Sequence, residues 1–145
     1  MKVPMKVDYG VRALVDLAQR YGDGSVQTVE IAERQNIPEP YLDQLLTTMS
    51  KFGFIRSRRG PQGGHVLARA PSEISLEMVV AGLEGAGAPL DCMSEPAECT
   101  LSNICAQRDV WKSVEEAIQS VLSSTTIADL ANRQKRLQSR GMYQI

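Results

Sequence analysis

The sulfhydryl groups of this chain lie in one short stretch. Its three cysteines, Cys92, Cys99 and Cys105, fall within DCMSEPAECTLSNIC with the spacing C-x6-C-x5-C, in a segment poor in core-forming residues. Inert cysteines tend to be buried among apolar residues, which are scarce here. A disulfide would leave one thiol over, and the tight C-x2-C pair frequent in zinc sites is absent. Because thiolates ligate zinc and iron alike, the spacing favours a zinc site and an iron–sulfur cluster about equally.

The bulk composition is that of one small globular unit. The chain has 145 residues, of which 43% are hydrophobic and 23% charged, and its net charge is -1. It contains no apolar run of the roughly 20 residues that cross a bilayer, and its N-terminus lacks the apolar core of an export signal. An odd number of cysteines fits a reducing compartment better than a disulfide framework. We therefore predict a cytoplasmic protein with no membrane partner.

Apolar residues at helical spacing predict three helices in the first part of the chain. The first covers residues 5–21 and ends at Gly22; the second begins after Thr28, taken as its cap; the third runs from Tyr41 to Phe52. The turn between the second and third helices is short and is followed by prolines that are tolerated at a helix start. This arrangement predicts a helix-turn-helix.

A basic β-hairpin is predicted to follow the third helix. Residues 54–57 and 65–68 are strand candidates around a glycine-rich turn, and residues 51–69 hold five basic and no acidic side chains. A helix-turn-helix with such a hairpin is a winged helix-turn-helix. The predicted fold class is therefore mainly α with a small β-hairpin wing and, later in the chain, a long helix.

A winged helix-turn-helix suits DNA, because a helix fits the major groove and arginine on a hairpin reaches phosphates or a narrow minor groove. We expect Asp43 to accept from a cytosine amino group and Gln44 to pair with adenine or a phosphate. The glycines keep the wing tip slim. The expected DNA-contacting residues are Tyr41, Asp43, Gln44, Lys51, Arg56, Arg58, Arg59, Gly60, Gly63, Gly64 and His65. The alternatives are a solvated charged face and a winged helix that binds protein.

The second half of the chain is predicted to hold three more helices. One is capped by Ser75, a long amphipathic one covers residues 110–122, and a short one covers residues 127–131 before a polar tail. The expected organisation is a winged helix-turn-helix at 1–70, a connecting helix at 71–90, a cysteine loop at 91–105, and the long and short helices at 106–145. An enzyme is not expected, because phosphate-cradling loops and a nucleophile beside a histidine are missing, and no small-molecule substrate is evident.

At this point the sequence resembles the Rrf family of winged-helix transcription regulators, over almost its whole length. The wing motif after a helix-turn-helix, together with the cysteine triplet, makes the resemblance specific. The matching stretches are DYGVRAL at 8–14, IAERQNIPEPYLDQLL at 31–46, RRGPQGGHVLAR at 58–69, the cysteines with the tryptophan-bearing helix, and TTIADL at 125–130.

The resemblance implies a homodimer on double-stranded DNA. In such proteins the long helix, here about residues 104–123, pairs with its twin, so that two recognition helices face successive major grooves of a palindromic operator. The expected role is that of a repressor. From the residues alone, the apolar stripe of this helix is equally an ordinary part of the core.

The resemblance also implies an iron–sulfur cluster on Cys92, Cys99 and Cys105, with [4Fe-4S] favoured and [2Fe-2S] possible. One branch of the family has a histidine as fourth ligand, but the corresponding position here is Arg108, which cannot ligate a metal. Another branch uses an aspartate in the motif DYG, donated by the other subunit, and Asp8 matches it. A helix cap or a salt bridge is the alternative role for Asp8. A zinc or thiol-redox site, or control by a protein partner, remains the alternative to a cluster.

Overall fold

A computed structural model of the chain describes residues 2–85, 97, 99–101 and 103–143. These parts contain six α-helices and one two-stranded antiparallel sheet, which confirms the predicted mainly α fold with a hairpin wing. None of the described helices is both long and apolar enough to cross a membrane. The elements are α1 Met5–Gln19, α2 Thr28–Gln35, α3 Glu39–Lys51, β1 Ile55–Arg58, β2 Gly64–Leu67, α4 Leu76–Glu84, α5 Arg108–Ser124 and α6 Ile127–Tyr143.

The helix-turn-helix is formed by α2 and α3. Helix α2 is capped by Gln27 rather than by Thr28, which corrects the predicted cap: the backbone N–H of Gln27 donates to Glu30 Oε2 at 2.9 Å, in a capping box. The helix ends at Asn36, whose φ of 53° lies in the left-handed region that asparagine tolerates. Pro38 precedes α3, so the chain leaves one helix and enters the next within three residues.

The core lies between α1, the helix-turn-helix and α4. Helix α1 contributes an unbroken buried face because its apolar residues recur every three to four positions. Removal of this apolar surface from water supplies the main stabilisation, at about 25 cal/mol per Å². The largest fully buried side chains are Leu14, Ile31, Leu42, Leu46, Met49, Ile55, Ile74, Ile127, Val79 and Asp16.

The wing is the predicted hairpin, shifted by one residue on each strand. Ile55 pairs with Leu67 and Arg58 with Gly64 across the antiparallel ladder. The outer edge of β2 is also paired: the backbones of Val26 and His65 exchange hydrogen bonds of 3.0 and 2.8 Å. Since Val26 lies in the connection between α1 and α2, the base of the wing is attached to the helix-turn-helix.

The C-terminal helix returns to the winged-helix body. The N–H of Ile127 donates to the carbonyl of Ile74 at 2.8 Å, and Ser75 forms a β-bridge with Thr126. From there α6 runs along α1. The prediction of a short last helix followed by a polar tail is wrong, because α6 spans Ile127–Tyr143. Beyond Ala131 only Leu137, Met142 and Tyr143 are apolar, too few to give the spacing signal of a helix.

The long helix α5 spans Arg108–Ser124. It extends two residues beyond each end of the 110–122 predicted from the residues, and it begins later than the 104 implied by the resemblance. It packs against α4, yet none of its residues is fully buried. Its inner stripe, Trp111, Val114, Ile118 and Leu122, is half-buried. A second apolar row, Val110, Ala117 and Val121, faces solvent. The helix is therefore only partly covered by its own chain.

Candidate nucleic-acid interface and thiol segment

Helix α3 presents one polar face to solvent. The exposed residues after Glu39 recur at helical spacing and so share that face: Pro40, Asp43, Gln44, Thr47 and Lys51. Asp43, Gln44 and Lys51 thus lie where the sequence predicts contacts with DNA. Thr47 was not predicted; its hydroxyl donates to the carbonyl of Asp43 at 2.9 Å, which leaves its methyl group outward. Such a methyl group can contact thymine in a major groove.

Tyr41 differs from its exposed neighbours, because it is half-buried against the first helix. Its ring meets the ring of Tyr9 edge-to-face, with centroids 5.6 Å apart. The pair joins the start of the recognition helix to α1. Tyr41 is therefore placed to orient α3, with any contact to a DNA backbone made from its exposed edge.

The wing has two different faces, because successive residues of a strand point to opposite sides. Arg56 and Arg58 are exposed on one face. Ser57 and His65 are cross-strand partners on the other. Arg59 is exposed in the turn beyond β1. In the parts of the chain that the structure describes, none of these three arginines makes an ion pair, so all are available to phosphates.

His65 holds the wing to the helix-turn-helix. Its Nε2 lies 2.8 Å from Thr28 Oγ1 at the start of α2, and its Nδ1 lies 2.7 Å from Ser57 Oγ on the opposite strand. Burial lowers the pKa of His65, and the nearby carboxylate of Asp43 opposes that shift. The neutral imidazole is therefore favoured, since it can donate from one nitrogen and accept at the other. The side chain expected near DNA also serves as an internal connection.

The glycines of the wing are required by its backbone. A Cβ on Gly63 would lie 2.1 Å from the carbonyl oxygen of Arg58, and one on Gly64 would lie 2.7 Å from that of Val26. The side-chain amide of Gln27 donates to the carbonyl of Gly63. Only Gly60, with φ of 106°, faces open space at the tip. Gly63 and Gly64 thus allow the hairpin to close, while Gly60 is the glycine placed to approach DNA.

A buried carboxylate anchors α2 to α1. Asp16 is fully buried and accepts two hydrogen bonds of 2.9 Å from the guanidinium of Arg34, with further bonds from Gln35 and Arg20. The hydrogen bond to Asp16 raises the pKa of Arg34. Such a charge is tolerated inside a protein because its oxygens are saturated by donors. The network fixes the end of α2 from which the turn to α3 departs.

Asp8 lies on the exposed side of α1 in an ion pair. Arg12 donates to both of its carboxylate oxygens, at 3.0 and 2.8 Å, and also to the carbonyl of Gln35 at 3.0 Å. The guanidinium of Arg12 is 5.1 Å from the ring centroid of Tyr9, a cation–π distance. Helix α1 is capped by Pro4, so the structure assigns Asp8 the salt bridge rather than the cap. A single arginine thereby joins Asp8 to the helix-turn-helix.

Two of the three cysteines lie just before α5. Cys99 and Cys105 are both half-buried. Cys92 lies outside the described residues. The side chains of Leu101 and Ile104, between the two described thiols, are exposed. Among the residues that the structure describes, no three ligand-type side chains come together as a metal site, so a site would have to include groups from elsewhere, such as Cys92 or a second subunit.

The model of one protein family, Rrf2, described as an iron-dependent transcriptional regulator, matches residues 3–133. The chain belongs to the Rrf2 family. The predicted family is therefore confirmed, and with it a winged-helix regulator that binds DNA and controls transcription. Relatives of this family are transcriptional regulators, which also agrees with the expectation that the chain is not an enzyme.

The relatives of this Rrf2 chain include proteins with two different names, CymR and IscR. It is 32% identical to the transcriptional regulator CymR of Bacillus subtilis over 145 residues, 100% of each chain. It is 33% identical to IscR of Yersinia pseudotuberculosis over 138 residues, 95% of this chain and 84% of that one. The solved structure of T. potens IscR gives a TM-score of 0.78 at 38% identity, covering 95% of this chain and 91% of the other.

The solved structure of B. subtilis CymR, described as the global cysteine regulator of that organism, is equally similar. Its TM-score is 0.79 at 32% identity, and the match covers 92% of this chain and 98% of CymR. The Rrf2 chain thus stands close to both CymR and IscR. The signal that it detects must be argued from its own residues.

Proposed function

We propose that this Rrf2-family regulator is a homodimeric repressor whose DNA affinity depends on an iron–sulfur cluster. Cys92, Cys99 and Cys105 would hold the cluster together with Asp8 of the partner subunit. The observation that carries the proposal is the placement of Cys99 and Cys105, both half-buried and close in sequence to the start of a partly uncovered helix. Thiolates are the usual ligands of such clusters, and the donor set fits one.

The exposed apolar residues around α5 support a dimer. Val110 and Val121 are each 62% exposed, and Leu101 and Ile104 in the preceding segment are also exposed. Apolar residues on one face of a helix are ordinarily buried in the assembled protein. A second copy of α5 would cover this row. The thiols of one subunit would then lie beside the other, as ligation in trans by Asp8 requires.

Asp8 meets two conditions for a ligand. Its side chain is 46% exposed, so it can be reached from outside its own subunit, and a carboxylate oxygen can complete a set of three thiolates. Its ion pair with Arg12 is the competing interaction. An exposed ion pair of this kind stabilises the folded protein by about 0–1 kcal/mol, so breaking it on ligation costs little free energy.

The contacts of Arg12 and Tyr9 support a connection between ligation and DNA binding. When bound, the cluster would supply a link between the thiol segment of one subunit and α1 of the other. In the chain itself, Arg12 joins Asp8 to the carbonyl of Gln35 at the end of α2, and Tyr9 contacts Tyr41 at the start of α3. A change at Asp8 therefore reaches both ends of the turn between α2 and α3. Ligation at Asp8 can alter DNA affinity only to the extent that the cluster-bound and cluster-free proteins bind DNA differently.

The similarity to CymR over the full length favours a second candidate function. In that case the chain would be a winged-helix regulator in which zinc, direct thiol oxidation or a protein partner replaces the cluster. Both candidates place the protein in the cytoplasm with the DNA that it binds, and a homodimer predicts that the operator is a palindrome.

Anaerobic purification separates the two candidates. The cluster predicts a brown protein with visible charge-transfer absorption and stoichiometric iron and sulfide, and a change in operator affinity when the metal is removed. Colourless protein containing zinc, or equal affinity with and without iron, contradicts it. Cys105→Ala should lose the chromophore while the neighbouring exposed substitution Asn103→Ala keeps it. Asp8→Asn should make the chromophore more labile if Asp8 is a ligand.

A further inference from the structure

The outer half of α6 is an acid-free basic surface. Every residue from 132 to 141 is exposed, and after Asp129 no acidic residue follows. The stripe consists of side chains at positions i, i+3, i+4, i+7 and i+8, which share one helix face: Asn132, Lys135, Arg136, Ser139 and Arg140. It therefore offers three cations and two neutral hydrogen-bonding groups together, with no carboxylate among them.

The cations of this stripe have no counter-charge on their own chain. Lys135, Arg136 and Arg140, and Arg133 beside them, form no ion pair with any residue that the structure describes. The last buried residue of α6 is Ala131, and beyond it the hydrogen bond from Gln19 Nε2 to Gln138 Oε1, at 3.3 Å, links the helix to α1. A polar helix with so little burial gains little from packing. A ligand of opposite charge would account for this composition.

The helix that carries the stripe is joined to the end of α1, which borders the wing. Gln19, which holds α6, is followed by Arg20, and Arg20 and Arg56 line one groove of about 420 Å³ between the end of α1 and the wing. Arg56 and Ser57 lie on opposite faces of β1. The end of α1 thus borders both the wing and α6, while Arg20 itself is paired with Asp16.

We propose that the α6 stripe binds phosphates of the duplex that flanks the operator. Phosphate contacts in protein–DNA complexes come from arginine, lysine and the neutral donors serine and asparagine, the types found in the stripe. From 132 to 140 a helix rises about 12 Å, over which one DNA strand carries three or four phosphates. Such contacts increase affinity without reading sequence.

Duplex DNA is a better match to this surface than an acidic protein. DNA is the ligand that the family binds, and the stripe offers three cations without a carboxylate among them. The whole chain carries a net charge of -1, so attraction to DNA must come from local surfaces. The proposal depends on DNA binding by the winged helix and not on the cluster, so either can fail without the other.

Two duplexes carrying a site selected from a random-sequence library test the proposal. The short one ends at the outermost selected base pair, and the long one adds about 10 base pairs, one helical turn, on each side. The variant K135Q/R136Q/R140Q removes three charges, K135R/R136K/R140K retains them, and Lys112→Gln removes an exposed cation of α5. Circular dichroism checks that α6 stays helical.

We expect the glutamine variant to bind the long duplex more weakly and to lower the slope of log K against log salt by about two to three for each subunit bound, since each phosphate contact contributes about 0.9. The effect should be the same for a scrambled flank and absent on the short duplex. The charge-retaining variant and Lys112→Gln should match the parent. Unchanged slopes on both duplexes, or an equal loss on both, would overturn the proposal, as would unchanged DNA binding with loss of an acidic protein partner.

Discussion

His65 shows how the role of one side chain depends on a distant residue. Its place in a basic hairpin predicts a strand residue near DNA, and the strand is confirmed. Its hydrogen bond to Thr28, however, spans 37 positions in sequence. No local pattern indicates such a contact, because it arises only when the wing packs on the helix-turn-helix. The same is true of Asp16 and Arg34, 18 positions apart.

Protonation of His65 is predicted to destabilise the fold. Burial lowers the pKa of His65, so below its ordinary value of about 6.5 the unfolded chain takes up a proton that the folded chain resists. The free energy of unfolding should therefore be constant above that pH and fall as the pH drops below it. Denaturant titrations from pH 7.5 to 5.5 measure this dependence.

The assignment to one residue is clean, because His65 is the only histidine. His65→Gln keeps a hydrogen-bonding side chain and should flatten the pH dependence over that range. If the variant retains the full dependence, another group is responsible.

Asp43 is predicted to select bases rather than to add affinity. It is exposed at the centre of the outward face of α3, and a carboxylate repels phosphates but accepts from a cytosine amino group. Asp43→Ala should widen the set of sequences recovered from a random library, with a loss of about 1–3 kcal/mol in discrimination at one base pair. Glu33→Gln, an exposed acid on α2, is the matched control. Unchanged selectivity in Asp43→Ala would remove Asp43 from the readout.

Among the elements, the position of the wing could be predicted from the sequence, but the contacts around its glycines could not. Alternating residues and glycines indicated a hairpin within one residue of its observed strands. The sequence could not distinguish glycines at an open tip from glycines under a neighbouring carbonyl. That difference is set by the path of Val26 and Arg58 around Gly63 and Gly64.

Gly63→Ala is predicted to disrupt the wing. Its methyl group would overlap the carbonyl of Arg58, and relief requires the turn to move. Overpacking of this kind costs about 1–3 kcal/mol. We expect a lower melting temperature and weaker DNA binding, whereas Gln62→Ala, at the exposed tip beside it, should leave stability unchanged. Normal stability and affinity in Gly63→Ala would show that the turn adapts freely.

The two C-terminal helices illustrate opposite limits of prediction. Helix α5 has a strong apolar period and was predicted nearly to its ends. Helix α6 was predicted only as far as its apolar residues extend, since Ile127, Leu130 and Ala131 give way to a polar run. The spacing of apolar residues indicates which face of a helix is buried. It therefore cannot reveal the outer half of α6, whose residues 132–141 are exposed.

For the whole molecule, the central prediction concerns assembly. Val121→Lys places a charge in the exposed apolar row of α5, which should weaken a dimer formed through that row. Sedimentation of the variant should show monomer at concentrations where the parent is dimeric, with unchanged helix content. Ser123→Lys adds the same charge on an exposed, nearly opposite side of α5. Equal dimerisation in both variants would exclude this surface.

The features that could not be predicted from the sequence also belong to the scale of the whole molecule. Family, fold and DNA binding follow from motifs that each lie within a few tens of residues. The fourth cluster ligand and the dimer involve more than one subunit, and Cys92 lies outside the described residues. Asp8 lies in an ion pair with Arg12, so ligation by Asp8 would require that ion pair to open.

The β-bridge between Ser75 and Thr126 joins the two ends of an excursion of the chain that contains α4, the thiol segment and α5. The entropy of closing such a loop grows only with the logarithm of its length. Residues can therefore be gained or lost between the cysteines at little thermodynamic penalty to the DNA-reading body. The thiol segment can thus diverge between related chains while the winged helix is inherited unchanged.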